Sequence, residues 1–201
     1  RQLLCRRCNI PFCLLSGKHR MSLEDTLTGW TGPSSDTEQE KQERTERMIR
    51  DAITEHEPLV NCGLRVYAKG SYANNTNVRA DSDVDIAVVC TEAEYWAEAT
   101  PGLHISTRPY RGTWTPERLR RELTAALSRK FPNAVDTSGS TALRIHSSST
   151  RVDADVVPCF SYRYYLDRTL SRVGTKIFRS DGTTLVNYPE QQLVNGRYKN
   201  Q

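Results

Sequence analysis

Two short acidic runs carry most of the chemistry this sequence could perform. Asp81-Ser82-Asp83-Val84-Asp85 leads straight into the apolar run Ile86-Ala87-Val88-Val89, and Val152-Asp153-Ala154-Asp155 leads into Val156-Val157-Pro158. Side chains alternate between faces along a strand. Asp83 and Asp85 therefore share one face while Val84 turns to the core, and Asp153 and Asp155 share a face in the same way. Carboxylates this close resist ionising together unless a cation compensates them. Simple solvent exposure at a strand edge is the plainer alternative, but each pair is tied to a buried run. If the two strands are neighbours, three or four carboxylates converge. An all-oxygen donor set suits Mg²⁺ or Mn²⁺, whereas zinc favours sulfur or imidazole. Two ions sharing Asp83 and Asp85 would let one activate a hydroxyl and the other hold phosphates.

Gly70-Ser71 precedes this acidic pair by about a dozen residues, enough for one short crossover. A Gly-Ser turn after a strand can set backbone N–H groups and a hydroxyl around a phosphate. Most such pairs are ordinary turns, and only the order and distance give this one weight. Arg79 could approach phosphate or simply offset the nearby acids.

These groups need elements to hold them. Thr37 through Glu57 has a charged helical pattern capped by Asp36 or Thr37 and ended by Pro58, with Glu43 and Arg47 spaced as an exposed ion pair. Leu64 to Ala68 reads as a short strand, and Val84 to Val89 as a central buried one. Thr91 to Trp114 reads as a mixed connection. Pro116 opens a helix to about Lys130, with Thr115 as its cap and an apolar stripe of Leu119, Leu123, Ala126 and Leu127. Ala142 to His146 and Val152 to Val157 bracket the polar turn Ser147 to Thr150 as a hairpin, and Val135 suits a further short strand. Tyr162, Tyr164 and Tyr165 suit core packing or stacking on a base. Gly174 to Phe178 and Thr183 to Val186 pair around Asp181-Gly182. This order predicts an α+β domain on one mixed, twisted sheet flanked by helices.

Gly70-Ser71, Asp83-Val84-Asp85 and the separate Asp155-Val156-Val157-Pro158 together resemble the signature of the polymerase-β-like nucleotidyltransferases. Within these, the chain is most similar to the bacterial cyclic-oligonucleotide synthases of anti-phage signalling. Ser34 to Glu40 with its charged helix, Asn74 to Arg79, Asp181-Gly182 and Asn187-Tyr188-Pro189 carry that finer likeness, which runs from about Ser34 to Gln201. The resemblance implies a polymerase-β-like core in which Gly70 and Ser71 hold the donor triphosphate. By the same resemblance Asp83 and Asp85 would bind two Mg²⁺ or Mn²⁺ ions, and Asp155 would complete the metal site and help deprotonate the acceptor hydroxyl. Asp153 stands in reserve. The implied substrates are nucleoside triphosphates and the implied product a cyclic di- or trinucleotide, sensed by a downstream effector protein. Addition of nucleotides to RNA ends by the same carboxylates is the alternative, as is a nucleotide-binding core without turnover. The family's helical C-terminal lobe is expected to be largely absent, leaving a partner chain as one source of that surface. Residues 34–201 would form the catalytic core and residues 1–33 an extension and linker outside it.

Composition agrees without deciding. The 201 residues carry 28 basic and 24 acidic side chains, a net charge of +4, spread rather than massed, so no nucleic-acid-binding tail is indicated and nucleic acid is not a required partner. No run approaches the length of a membrane span, and a cytoplasmic location is expected. Cys5, Cys8, Cys13 and His19 have some zinc-like spacing but no second well-spaced pair, so an accidental cluster is the preferred reading. Cys62, Cys90 and Cys159 lie in apolar stretches and suit reduced core thiols. His56, His104 and His146 are isolated and assigned to no metal.

Overall fold

The computed structural model describes residues 36–69, 83–103 and 109–188. In chain order these form α1 (Asp36–Thr54), α2 (Glu57–Val60), β1 (Leu64–Lys69), β2 (Val84–Glu98), α3 (Pro116–Lys130), β3 (Val135–Asp136), β4 (Leu143–Ile145), β5 (Ala154–Tyr165), β6 (Ser171–Phe178) and β7 (Thr184–Asn187). The strands make one seven-stranded sheet in the order β1-β2-β5-β4-β3, with β6 joining the far half of β5 and β7 pairing β6. Among the described residues, only β2 and β5 pair in parallel, and the other strand pairings are antiparallel. The expected α+β class, with a mixed sheet flanked by helices, is what forms.

The two helices that cover the sheet do so for different local reasons. In α3, Thr115 Oγ1 accepts from the Arg118 N–H at 3.2 Å, Pro116 occupies the first turn, and Arg129 and Lys130 lie in the last turn. The cap satisfies an otherwise orphaned donor, and the terminal cations complement the helix dipole. Leu119, Leu123, Ala126 and Leu127 are all buried, each leucine stabilising the fold by roughly 1.5–3 kcal/mol through burial. In α1, Ile49, Ala52 and Ile53 are buried alongside Gln42 and Thr45. Thr45 Oγ1 donates to the Lys41 carbonyl and accepts from the Val152 N–H, so it ties the helix to the lead-in of β5. The expected Glu43–Arg47 pair is replaced by Glu46–Arg50, at 2.7 Å and one helical turn apart. Helix α1 also stops at Thr54, before Pro58, which instead opens the separate turn α2.

The sheet departs from expectation in the lengths of its two central strands. β2 does not end near Val89 but runs 15 residues to Glu98. Its Cα partners on β5 step from Cys90↔Phe160 to Glu94↔Ser161, so Thr91, Glu92 and Ala93 form a bulge. The bulge reverses the alternation: Val88 and Cys90 face the main core before it, and Ala93 and Tyr95 after it. It is fastened to Gly63, whose carbonyl accepts from the Thr91 N–H and Oγ1 and whose N–H donates to Glu92 Oε1. A Cβ at position 63 would lie 2.8 Å from Thr91 Oγ1 and 3.0 Å from Glu92 Oε1, so a side chain there would displace the two that fasten the bulge. β5 likewise continues past Pro158 to Tyr165. Along β5 the outer partner changes from β4, whose pairing reaches Val156, to β6, whose pairing starts at Cys159. Pro158, with no N–H to donate, falls in the gap between them.

The main core lies between the sheet and the helices, with Val84, Ile86, Val88, Ala154 and Val156 meeting Ile49, Leu119, Leu123 and Leu127. At its far end Tyr95, Phe160 and Phe178 pack edge-on or tilted, with ring centroids 4.8 to 5.9 Å apart. Tyr162 is buried against Tyr188, which bears out core packing for that tyrosine. Cys62, Cys90 and Cys159 are free, buried thiols, and His56 pairs with Glu122 at 3.0 Å. The chain before residue 36, with Cys5, Cys8, Cys13 and His19, lies outside the described residues. None of the described helices is long and apolar enough to cross a membrane.

Candidate active site

The face of the sheet turned away from the helices carries the acidic residues. Lys69 on β1 is the Cα partner of Asp85 on β2, Asp85 of Asp155 on β5, and Asp155 of Arg144 on β4. One lateral row thus crosses four strands in the charge order plus, minus, minus, plus. Laterally paired residues project to the same face, and adjacent strands lie about 4.8 Å apart. Asp85 and Asp155 are therefore immediate neighbours, as the sequence pattern predicted if the strands were adjacent. Val84, Ile86, Ala154 and Val156, interleaved with them, are fully buried on the opposite face.

Asp83 stands one residue before β2 and two before Asp85, so it extends the same face by about 6.8 Å along the strand direction. The ladder continues to it: the Val84 N–H donates to the Asp153 carbonyl at 3.0 Å. Arg144 closes this end. Its Nη2 donates to Asp83 Oδ2 at 3.0 Å and lies 3.5 Å from Asp153 Oδ2. Asp153 Oδ1 accepts from the Ser147 N–H at 2.6 Å, which engages it with the turn before β5. Asp153 is thus held by its own hairpin.

Electrostatics follow from this packing. Burial pushes the Asp85 carboxyl above the usual carboxylate range; Lys69 opposes the shift, while Asp155 and Asp83 add to it. The Arg144 guanidinium is held more firmly protonated, first by Asp83 and then by Asp155. Beyond the row the face turns apolar, with Ala87, Val89, Val157, Cys159 and Ile177 forming a second small cluster against Tyr67 and Ala142. Burial lifts the Cys159 thiol to about 12, so it stays protonated at neutral pH.

The donor set fits a hard divalent cation: all-oxygen, crowded, and with one member, Asp85, that resists carrying its charge uncompensated. Among the described residues, no group of three His, Cys, Asp or Glu side chains is gathered closely enough to hold an ion as it stands. The backbone brings Asp83, Asp85 and Asp155 to one place, and Asp83 is engaged with Arg144. Gly70 and Ser71, together with Arg79 and Asp81, lie outside the described residues. β1 ends at Lys69 opposite Asp85, so the chain enters that segment at the acidic end of the sheet. Sequence reasoning missed Arg144 and Lys69. The signal for Arg144 lay in its own hairpin: Leu143 and Ile145 are the buried positions of β4, which leaves Arg144 on the open face opposite Asp155.

No protein-family model matches the sequence. It is 40% identical over 182 residues to a cyclic dipyrimidine nucleotide synthase, CdnE, of Legionella pneumophila, covering 88% of this chain and 61% of that protein. It is 30% identical to the cyclic GMP-AMP synthase CdnE03 of Staphylococcus schleiferi, over 88% of this chain and 63% of the relative. Among solved structures, the Rhodothermus marinus CdnE c-UMP-AMP synthase with Apcpp and Upnpp superposes with a TM-score of 0.68 at 27% identity, over 89% of this chain and 60% of that one. The chain thus spans about three-fifths of the length of these relatives. Over most of its length, with this sheet beneath its aspartates, the chain is therefore similar in sequence and in fold to the bacterial cyclic-oligonucleotide synthases.

Proposed function

We propose that this chain carries the catalytic core of a metal-dependent nucleotidyltransferase that converts nucleoside triphosphates into cyclic di- or trinucleotides. The observation that supports it most is the pairing of Asp85 with Asp155 on adjacent parallel strands, with Asp83 on the same face. In the reaction a ribose hydroxyl oxygen forms a bond to the α-phosphorus of a triphosphate. The bond from that phosphorus to the bridging oxygen breaks, and pyrophosphate leaves with the electron pair. A second such step within the linear product closes the ring.

Asp83 and Asp85 would hold both divalent ions, Mg²⁺ or Mn²⁺, and Asp155 would complete the site. Bound there, the ions supply charge stabilisation for the phosphate oxygens and lower the pKa of the attacking hydroxyl. Asp155 lies in the same row as Asp85 and serves as the acceptor for that hydroxyl's proton. Lys69, whose charge acts on Asp85, adds positive potential at the end of the row where the triphosphate must lie. Gly70 and Ser71 follow it directly and would cradle the triphosphate with backbone N–H groups and a hydroxyl. The core occupies residues 34–201, and a further lobe or a partner chain would supply the far wall of the nucleotide cleft. The product would act as a cytoplasmic signal in anti-phage defence, read by an effector protein.

Incubation of the protein with all four triphosphates and Mg²⁺ or Mn²⁺, followed by mass analysis, tests this reading. Phosphatase-resistant cyclic products are expected. Extension of added RNA without cyclic product would replace the reading with terminal nucleotide addition. Metal-dependent nucleotide binding without pyrophosphate release would leave a binding core.

A further inference from the structure

The contact between Arg144 and Asp83 has no counterpart in the chemistry proposed above. Arg144 is fixed at its backbone: it sits in β4 between Leu143 and Ile145, both fully buried, and its Cα pairs with that of Asp155. Its side chain lies on the open face, roughly two-fifths exposed, and one nitrogen, Nη2, faces both Asp83 Oδ2 at 3.0 Å and Asp153 Oδ2 at 3.5 Å. A cation thus already stands between two carboxylates at the edge of the place where a divalent ion would have to sit. Exposed ion pairs of this kind are weak, because water screens them and both side chains lose freedom. A divalent ion on the same carboxylate repels the guanidinium and competes with it for the oxygen lone pairs, which weakens the contact.

We infer that Arg144 is the resident counter-cation of the carboxylate site, holding Asp83 in the absence of a divalent ion and displaced from it when one binds. This rests on the assignment of Asp83, Asp85 and Asp155 as metal ligands. Arg144 is then a positioning residue. It holds Asp83 in place against the repulsion of Asp85, and it sets the concentration at which metal takes over. The weakness of the exposed pair makes the exchange reversible, and the stiff backbone confines it to side-chain rotation.

The test is equilibrium Mn²⁺ binding to the full chain without nucleotide, read from the electron paramagnetic resonance signal of free Mn²⁺. Wild type is compared with Arg144→Gln, Lys69→Gln and Asp85→Asn. Arg144→Gln is expected to bind Mn²⁺ at least about five-fold more tightly, the scale of an ordinary coupling between two ligands. Lys69→Gln, which removes a charge from the same row opposite Asp85, is expected to gain clearly less. Equal gains from both would reduce the effect to the local field and overturn the inference, as would unchanged or weaker binding in Arg144→Gln. A second readout does not depend on that variant folding. In wild-type protein the Arg144 Nε–H NMR signal, assigned by its loss in Arg144→Lys, should shift with Mg²⁺ at the same midpoint as metal binding; a signal that stays put overturns the inference. If Asp85→Asn binds Mn²⁺ as well as wild type, the metal-site assignment itself fails and the inference falls with it. If Asp85→Asn loses binding while the Arg144 measurements stay flat, only the inference is lost.

Discussion

The two faces of the central sheet are built from alternate residues of the same strands, yet they do opposite work. On the helix side, Val84, Ile86, Val88, Ala154 and Val156 are sealed beneath α1 and α3. On the other side, Asp85 and Asp155 sit between Lys69 and Arg144, above a much smaller apolar cluster. The first face stabilises the fold by removing apolar surface from water. The second holds like charges side by side, which costs stability at neutral pH. The difference shows how one pair of strands can be both scaffold and site. The period of two assigns each residue to one task, and the stiffness gained on one face holds the other in register.

The comparison can be broken by substituting on one face at a time. Asp155→Asn should lower turnover by about 10³-fold, the scale of losing one fixed electrostatic partner of the reaction, with the melting temperature unchanged or raised. A drop in activity matched by a drop in melting temperature would give Asp155 a structural role instead. Leu123→Ala, on the sealed face, should cost about 2–5 kcal/mol of stability in denaturant titration, because Leu123 is fully buried in the main core. Residual folded protein should keep its activity per molecule. A cost below about 0.5 kcal/mol, the scale of a surface change, would mean that the helices do not seal the sheet.

The subtlest expected effect concerns Asp85 without metal. Its folded carboxyl titrates above the usual range because of burial and its acidic neighbours. A raised pKa means that the protonated form favours the fold. That contribution is full below the unfolded pKa and is lost as pH rises through the folded one. In chelator, Asp85→Asn should therefore raise the melting temperature relative to wild type at neutral pH, and the gain should vanish as pH falls into the acidic range. A gain that is the same at both pH values would deny that the charge of Asp85 is what strains the open face.

Much of this division was legible in the amino-acid sequence. The runs after Asp85 and Asp155 are apolar enough to be buried strands, and alternation alone puts the aspartates on one face. What stayed hidden depended on long-range pairing. Thr91 to Trp114 reads as a mixed connection, yet its first part, to Glu98, is held as strand by β5 beyond a three-residue bulge. Pro158 reads as a strand end, yet it sits harmlessly where β5 changes partners. Arg144 looked like one arginine among many, because its meaning comes from its register with Asp155 and its reach to Asp83. Local propensity cannot report such contacts; tertiary pairing decides them.

The most direct test of the open face as a nucleotidyl-transfer site is pyrophosphate release from the four triphosphates with Mg²⁺ or Mn²⁺, by wild type and by the double variant Asp83→Ala, Asp85→Ala. Wild type is predicted to release pyrophosphate and accumulate cyclic product. The double variant is predicted to release none while keeping the circular dichroism spectrum of the wild type. A folded double variant that still turns over nucleotide would contradict the account.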